Sequence, residues 1–361
     1  MIRILQTSDV HLGHSSYLPI DDSHRLITLD KILTSARNHD LLLVCGGLFS
    51  GITVHPDTVS RVLKQLADLS RAGTRVVITP TQKESQLYQN LDHPNIIVCT
   101  DDIRTILFDS LDPCLTVYAG SLSQPDDLFS ITRSGSSGYH LGVFHTDFLV
   151  YAADENDTAK NGLSGLTLDF YALGGFHNFR VFRSGGVPFA AYSGTPETVY
   201  PGENRERYVL SYEIGKTSIE RMKRLAVNTL MYDRLFIDCR QYGSSEEIYN
   251  MVKKLAGPNT ILEVNLKGDD LFTEHTDIRS LASMFKLLLV HNNYNMQLVD
   301  LAGRYLREDS LRGDFYRALS AQTGGSDTSS LYDTKFLAGV LDAIDSQETL
   351  TEEYLCKLFS V

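Results

Sequence analysis

The sequence predicts an α/β protein with layered sheets. Over roughly the first two hundred residues, apolar segments of strand length alternate with segments whose apolar residues recur at helical spacing. Such alternation is typical of folds in which helices pack against sheets. The chain has 361 residues, of which 42% are hydrophobic, so it is long enough to build two or three domains with cores of their own.

The first five predicted elements are strand, helix, strand, helix and strand. The strands are Arg3–Gln6, Leu41–Cys45 and Arg75–Thr79, and the middle one is apolar throughout, as expected for a strand buried on both faces. Arg25–Arg37 and Val59–Ala72 are predicted helices, because their apolar residues recur every three or four positions. Later strands have fewer helices between them, which indicates a second, partly antiparallel sheet: Leu115–Ala119, Leu141–Phe144, Phe170–Leu173, Ala190–Ser193 and Tyr208–Glu213.

The pattern changes beyond residue 222. We place the first domain at residues 1–222, a small α/β domain at 229–310, and a linker with C-terminal helices at 311–361. A segment rich in Gly and Ser at 322–330 has the composition of a flexible linker. The small domain and the tail contain the predicted strands Leu230–Asp238, Ile261–Lys267 and Met296–Leu301 and the predicted helices Ser245–Ala256, Ile278–Leu289, Lys335–Ile344 and Glu352–Phe359.

Composition excludes several classes of protein. The formal net charge of -12 argues against coating nucleic acid by bulk charge, although a local basic groove is compatible with it. The sequence shows no signal peptide and no apolar run of the ~18 residues that a membrane span needs, so we expect no membrane partner. Five scattered cysteines without a C-x-x-C pair indicate reduced thiols, which predicts a cytoplasmic protein.

Side chains of metal-binding type follow several predicted strands. Asp9 and His11 come two residues apart on the turn after the first strand, so both can face one cation. His145 and His177 follow two later strands. Loops at the carboxyl ends of strands are the usual place for a site in such sheets. The spacing therefore predicts one site that collects residues from distant parts of the chain.

Six segments also occur in the order of a known set of motifs. Together they resemble the calcineurin-like metallophosphoesterases, most closely the SbcD-like DNA repair exonucleases, over about residues 1–215. The resemblance implies a layered sheet sandwich flanked by helices, with a small α/β capping domain and C-terminal helices. The segments are Thr7–Gly13 for S-D-x-H-L-G, Val44–Ser50 for G-D-L-F-D, Thr79–Glu84 for P-G-N-H-D, Gly142–His145 for the fourth motif, Tyr171–His177 for A-L-G-H-x-H and Tyr192–Glu197 for the turn that follows.

The chain departs from that family's pattern at specific positions. Gly47 stands where the family has the Asp that bridges two metals, and Gly175 stands where it has a His ligand. Gln82 replaces a metal-binding Asn, and Lys83 replaces the His that stabilises the leaving group. The matching positions that remain are Asp9, His11, His145 and His177.

These departures predict at most one tightly bound ion. By the family's pattern, Asp9, His11 and His177 would hold the first metal, and the second would keep His145 with Gln82. Two cations about 3.5–4 Å apart repel, and the glycine at the bridging position has no carboxylate to offset that repulsion. Three mixed nitrogen and oxygen ligands suit Mn or Zn completed by water.

Lys83 and His145 are the candidates for direct catalytic roles. A cationic Lys83 disfavours a second cation beside it but can hold a phosphate. Plain structural interpretations stay open beside these roles: a solvated surface for Lys83, a core position for His145, an exposed loop for His177 and a hydrogen-bonded turn for Asp9 and His11. Arg180, Arg183, Arg205 and Arg207 could form a weak phosphate-facing patch, but the interspersed Glu203 and Glu206 favour a plain solvated surface.

The resemblance implies an SbcD-like protein, and the lost ligands predict a weak or inactive nuclease subunit. It further implies that the C-terminal helices bind the coiled coil of an SbcC-like ATPase. Weak contact with DNA and a homodimer are also expected from the resemblance. One alternative is an active phosphoesterase or nuclease that uses a single metal. Another is a phosphate- or nucleotide-binding module without catalysis. If the scaffold is otherwise intact, Gly47→Asp combined with Gly175→His and Lys83→His is expected to raise activity.

Overall fold

The fold is described from a computed structural model of the chain. It describes residues 1–15, 21–52, 54–100, 102–122, 124–135, 138–147, 149, 165–200, 203, 205–268 and 278–294. The chain separates into two compact units, of which the first comprises 1–235 with 255–263 and 279–289, and the second includes 236–254 and 264–268. Every candidate site residue belongs to the first unit. The predicted strand at 296–301, the linker and the tail helices lie outside the described residues.

The first sheet is mixed and has six strands. Its order is β12-β11-β1-β2-β3-β4, with β1 to β4 parallel and β11 and β12 antiparallel to their neighbours. The predicted boundary at residue 222 falls inside β12, whose pairing with β11 continues to Ala226. The strands are β1 Ile2–Thr7, β2 Leu41–Val44, β3 Arg75–Ile78, β4 Ile96–Val98, β11 Tyr208–Ile214 and β12 Ile219–Ala226.

The second sheet also has six strands and is partly antiparallel, as predicted. The assignment of Tyr208–Glu213 to this sheet is wrong, because β11 pairs with β1 in the first sheet. Its order is β5-β6-β7-β8-β10-β9, in which the four inner strands are parallel and both edge strands are antiparallel. The strands are β5 Arg104–Phe108, β6 Leu115–Ala119, β7 Tyr139–His145, β8 Phe170–Gly174, β9 Arg180–Ser184 and β10 Val187–Tyr192.

The two sheets pack face to face, and alternation along β2 shows how. Leu41 and Leu43 enter the core between the sheets, whereas Leu42 and Val44 enter the core beneath the helices. Residues on successive positions of a strand point to opposite faces, so an all-apolar strand fits only a position between two layers. The prediction of a layered α/β sandwich flanked by helices is confirmed.

A buried amide also joins the two sheets. The side chain of Gln6 on β1 donates hydrogen bonds from Nε2 to the carbonyl oxygens of Leu173 and Ala191, at 3.1 and 2.9 Å. Those carbonyls belong to the ends of β8 and β10. Buried polar groups need such partners, and these bonds fix the ends of three strands where the candidate site lies.

Two helices cover the outer face of the first sheet. The first helix, α1, spans Asp22–Ala36, and the side chain of Asp21 caps it by accepting from the amide of Ser23. The second, α2, spans Pro56–Arg71 and begins with a proline, which costs no hydrogen bond at that position. Among the described residues, no helix is both long enough and apolar enough to cross a membrane.

The C-terminal part of the described chain contains a third sheet and a helix. The sheet has the order β13-β14-β15, and the helix α3 spans Ser245–Lys254. The predicted helix at Ile278–Leu289 is wrong beyond Met284, because a short 3₁₀ helix ends there and β15 follows. The apolar run at 287–290 fits the spacing of a helix as well as that of a strand. Pairing within the sheet decides for the strand. The strands are β13 Met231–Asp238, β14 Gly257–Gly268 and β15 Phe285–Tyr294.

Candidate metal centre

The turn after β1 places Asp9 and His11 at the meeting point of both sheets. Both residues have left-handed backbone conformations, each with φ of 54°, which is uncommon for residues other than glycine. The conformations are held by backbone bonds, since the amide of Asp9 donates to Gly46 and that of His11 donates to Gly47, at 2.9 and 2.8 Å. Backbone strain maintained in this way is typical of functional sites.

The side chains of Asp9, His11 and His177 converge, as the sequence predicts. One ligand atom from each lies within 4.8 Å of the others. The two Nε2 atoms of His11 and His177 are 3.2 Å apart, and Nε2 of His11 is 3.7 Å from Oδ1 of Asp9. Nitrogens bound to one tetrahedral ion at ~2.0–2.1 Å lie about 3.3–3.4 Å apart. The three residues therefore fit one small divalent transition metal.

His177 is oriented by a buried carboxylate. Its Nδ1 donates to Oε1 of Glu203 at 2.5 Å, and the other oxygen of Glu203 accepts from the amide of Val199 at 2.6 Å. Arg207 donates to the backbone carbonyl of His177 and to that of Thr195. A carboxylate on the far nitrogen of a histidine fixes its tautomer and makes Nε2 the more basic ligand atom.

The protonation of the two histidines follows from these contacts. Burial lowers the pKa of His11 to about 4, even though the charge of Asp9 opposes the shift. Burial also disfavours the charged form of His177, but its hydrogen bond to Glu203 and the charges of Asp9 and Glu203 leave the pKa of His177 raised. When His177 is protonated, its Nε2–H donates a hydrogen bond to Nε2 of His11. A metal would have to displace that proton.

His145 lies against Asp9 at the end of β7. Its Nε2 is 3.2 Å from Oδ1 of Asp9, while Oδ2 of Asp9 accepts from the amide of Gly175 at 2.9 Å. Burial disfavours the charged form of His145, yet the hydrogen bond and charge of Asp9 leave the pKa of His145 raised. Burial would raise the pKa of Asp9, but the bond from His145 and the nearby imidazoles lower it instead. His145 is thus joined to the three-residue cluster through Asp9.

The positions of the two absent ligands are tightly enclosed. A Cβ on Gly47 would lie 2.8 Å from Oδ1 and 2.9 Å from Cα of Asp9, and φ of Gly47 is +67°. A Cβ on Gly175 would lie 3.2 Å from the ring of His145, at φ of +97°. A side chain at Gly47 would require the backbone of Asp9 to move, and one at Gly175 would adopt a strained backbone conformation and press on His145 and Thr146. Restoring the two ligands would therefore strain the local structure, and the expected gain in activity of the triple variant stays a prediction.

Gln82 and Lys83 lie in the turn after β3, and both side chains are exposed. The next residue, Glu84, is fully buried and accepts hydrogen bonds from the amides of Gly47, Phe49 and Thr81, at 2.7 to 2.9 Å. Burial raises the pKa of Glu84, and the amide donors oppose that shift. The roles of Gln82 and Lys83 stay predictions. Glu84, by contrast, fixes the backbone of the loop that contains Gly47 and Phe49.

Sequence reasoning missed the residues that support the ligands. Glu203 was interpreted as part of a solvated surface, but it is only 5% exposed and binds His177. Arg207, grouped with it, is buried as well. Ser50 was also missed; its hydroxyl is 3.4 Å from Nδ1 of His11. A Glu and an Arg in a polar loop carry no signal of burial, so local sequence had no means of revealing them.

Comparison with known proteins gives only distant similarities. No family model matches the chain, and no curated protein matches it. The chain is similar in structure to a conserved uncharacterised protein of Streptococcus pneumoniae, a predicted phosphoesterase, with 15% identity, a TM-score of 0.28, and coverage of 62% of this chain and 97% of that one. It is also similar to the nuclease MPE of Pseudomonas putida, with 15% identity, a TM-score of 0.25, and coverage of 60% and 86%. Similarity at this level does not show what chemistry the chain performs. That chemistry is inferred from the geometry of the site.

One Mn²⁺ or Zn²⁺ ion is expected to bind tightly per chain. Calorimetric titration of chelator-treated protein measures the stoichiometry, and His177→Ala should weaken binding by at least roughly tenfold because one of three ligands is lost. The exposed His55, whose side chain is 72% accessible, supplies the control His55→Ala, which should bind like the unmodified protein. Two tight ions per chain would contradict the single-site geometry.

The pair of Glu203 and His177 is expected to stabilise the metal-free protein most in mildly acidic solution. A raised pKa of His177 contributes stability that is present below pH ~6.5 and is lost as pH rises through the folded pKa. A lowered pKa of Glu203, opposed by burial and caused by His177, contributes stability above pH ~4.5. Urea unfolding should therefore show Glu203→Gln losing roughly 1–3 kcal/mol at pH 6 and less at pH 9.

The matched control is Glu206→Gln, because Glu206 is exposed and its carboxylate accepts from the hydroxyl of Tyr208. It should change the free energy of unfolding by less than about 0.5 kcal/mol at either pH. If Glu203→Gln lowers the free energy of unfolding equally at pH 6 and pH 9, the charged pair of Glu203 and His177 does not form.

Proposed function

We propose that this chain is a phosphoesterase-class protein whose site holds a single divalent transition metal. The observation that carries the proposal is the convergence of Nε2 of His11 and Nε2 of His177, 3.2 Å apart, beside the buried carboxylate of Asp9. The six motif-like segments of the sequence support the same class, because two of them contribute these three residues.

A divalent ion bound there would supply Lewis-acid polarisation of a phosphoryl oxygen. The protein's own contribution is the geometry of the ligands. Glu203 holds the ring of His177, and Asp9 is held by Gly175 and His145 on the second sheet. The exposed Lys83 adds a cation on the loop after β3 that can attract a phosphate from solution.

We further propose that catalysis is weak or absent. A two-metal mechanism uses both ions to stabilise the attacking and the leaving oxygen. In this chain Gly47 offers no bridging carboxylate, and Nε2 of His145 faces Asp9 rather than a separate metal position. Each lost charge stabiliser typically costs ~10²–10³ in rate.

Purified protein with Mn²⁺ is therefore expected to digest the ends of linear duplex DNA slowly or not at all. Release of nucleotides from end-labelled DNA measures the rate, and His11→Ala shows how much of any activity belongs to the site. Rapid digestion that is abolished by His11→Ala would contradict the proposal of weak catalysis and favour an active single-metal nuclease.

The finer role follows the resemblance to SbcD-like proteins. We propose an SbcC-like coiled-coil ATPase as partner, weak contact with DNA, a homodimer, and a cytoplasmic location. What supports the partner is the sequence of the tail, in which Leu337, Val340 and Leu341 form an apolar stripe and Leu355 and Leu358 form another. Short helices of this kind need a surface that covers their apolar face. The free thiols of the four described cysteines are compatible with a reducing compartment.

Deletion of residues 331–361 is expected to abolish co-purification with the ATPase while leaving the melting temperature of the isolated protein unchanged. The predicted linker at 322–330 would let the tail reach a partner. Removing the tail should therefore not destabilise the rest of the chain. A large drop in melting temperature after deletion would show instead that the tail packs in its own chain's core.

A further inference from the structure

Four aromatic rings border the candidate metal centre in a closed cycle. Centroids of His11 and His177 are 5.1 Å apart, and those of His11 and His14 are 6.3 Å apart. Tyr200 completes the cycle, 5.4 Å from His177 and 4.9 Å from His14. Two members are candidate ligands. The other two, Tyr200 and His14, have no part in holding the ion in the proposal above.

Tyr200 combines a fixed orientation with exposure. Its ring stacks on that of His177 at an interplanar angle of 20°, and the rings of Tyr200 and His14 form a T-shaped pair at 73°. Nevertheless 46% of Tyr200 is exposed. Large aromatic side chains usually bury most of their surface. An exposed ring that two neighbours hold in place is suited to contact with another flat group.

His14 is itself held in place. The guanidinium of the buried Arg25 donates from Nη1 to the backbone carbonyl of His14 at 3.0 Å, and the amide of Gly13 donates to Asp22 at 2.7 Å. These bonds tie the end of the Asp9–His14 turn to the start of α1. The contact between the rings of His14 and Tyr200 is therefore supported by the surrounding backbone and is not a chance contact of two surface side chains.

We propose that Tyr200, supported by His14, is a stacking platform that selects phosphate esters carrying a planar ring. The inference rests on the proposed function, because the phosphate must be held by the ion that Asp9, His11 and His177 bind. Since Tyr200 stacks on one of those ligands, a phosphate at the ion places the adjoining group of the ester beside the tyrosine ring. Aromatic rings attract each other at centroid distances of 4.5–7 Å, and nucleobases stack on tyrosine without regard to sequence.

The opposing interpretation is that Tyr200 only supports the ring of His177. The two roles differ in what they do to ligands without a ring. A platform strengthens binding of a ring-bearing ester and leaves metal binding and ring-free esters unchanged. A supporting residue affects the metal first and then both kinds of ester equally.

Calorimetry with adenosine 5′-monophosphate and ribose 5-phosphate separates the two roles, with the protein loaded with one equivalent of Mn²⁺. The nucleotide should bind roughly tenfold more tightly than the sugar phosphate, because only it can stack. Tyr200→Leu should remove that difference, while affinity for Mn²⁺ and for ribose 5-phosphate stays within about twofold. Tyr200→Phe should retain the preference, and Tyr249→Leu on α3 is the control.

Equal binding of the two ligands by the unmodified protein would overturn the platform and leave the proposed function intact. A loss of Mn²⁺ affinity in Tyr200→Leu, with both esters weakened equally, would show the supporting role and also overturn it. Failure of both ligands to bind the metal-loaded protein would overturn the proposed function together with this inference.

Discussion

The arrangement of the site depends on the buried carboxylate of Asp9. Its backbone amide bonds to Gly46 after β2, and its side chain bonds to Gly175 after β8 and to His145 at the end of β7. One residue of the first sheet is thus joined to two strands of the second. A buried charge is costly unless it is paired and hydrogen-bonded, so this network both fixes the two sheets at their strand ends and keeps Asp9 ionised.

Close approach of the strand ends is made possible by glycines, and it also limits the chemistry. A Cβ on Gly174 would lie 1.8 Å from the carbonyl oxygen of Cys45, and one on Gly46 would lie 2.3 Å from the ring of His145. The backbone therefore occupies space that a side chain would need. The same packing leaves little room for a carboxylate at Gly47. The glycine at position 47 and the tight contact between the sheets are two aspects of one local structure.

Each of the three residues proposed to hold the ion has a supporting contact. His177 has Glu203, His11 has Ser50 close to its far nitrogen, and Asp9 has donors on both oxygens. Supporting contacts of this kind orient ligands and tune their basicity. If the cluster binds the single ion proposed, the exposed ring of Tyr200 beside it suits the site to holding a phosphate ester.

The sequence by itself determined the layered α/β class, the strands that end at the site, and the candidates Asp9, His11 and His177. All-apolar strands and the Asp-x-His turn of Asp9 and His11 are local patterns, and the resemblance of the motifs to a known family implied that His177 joins them. Only the tertiary structure decided that Glu203 is buried, that His145 pairs with Asp9, and that residues after Met284 form a strand rather than a helix. The edge strands β4, β5, β9 and β12, which are polar or short, were missed for the same reason. Their formation and these contacts depend on partners far away in the sequence, and no window of neighbouring residues contains that information.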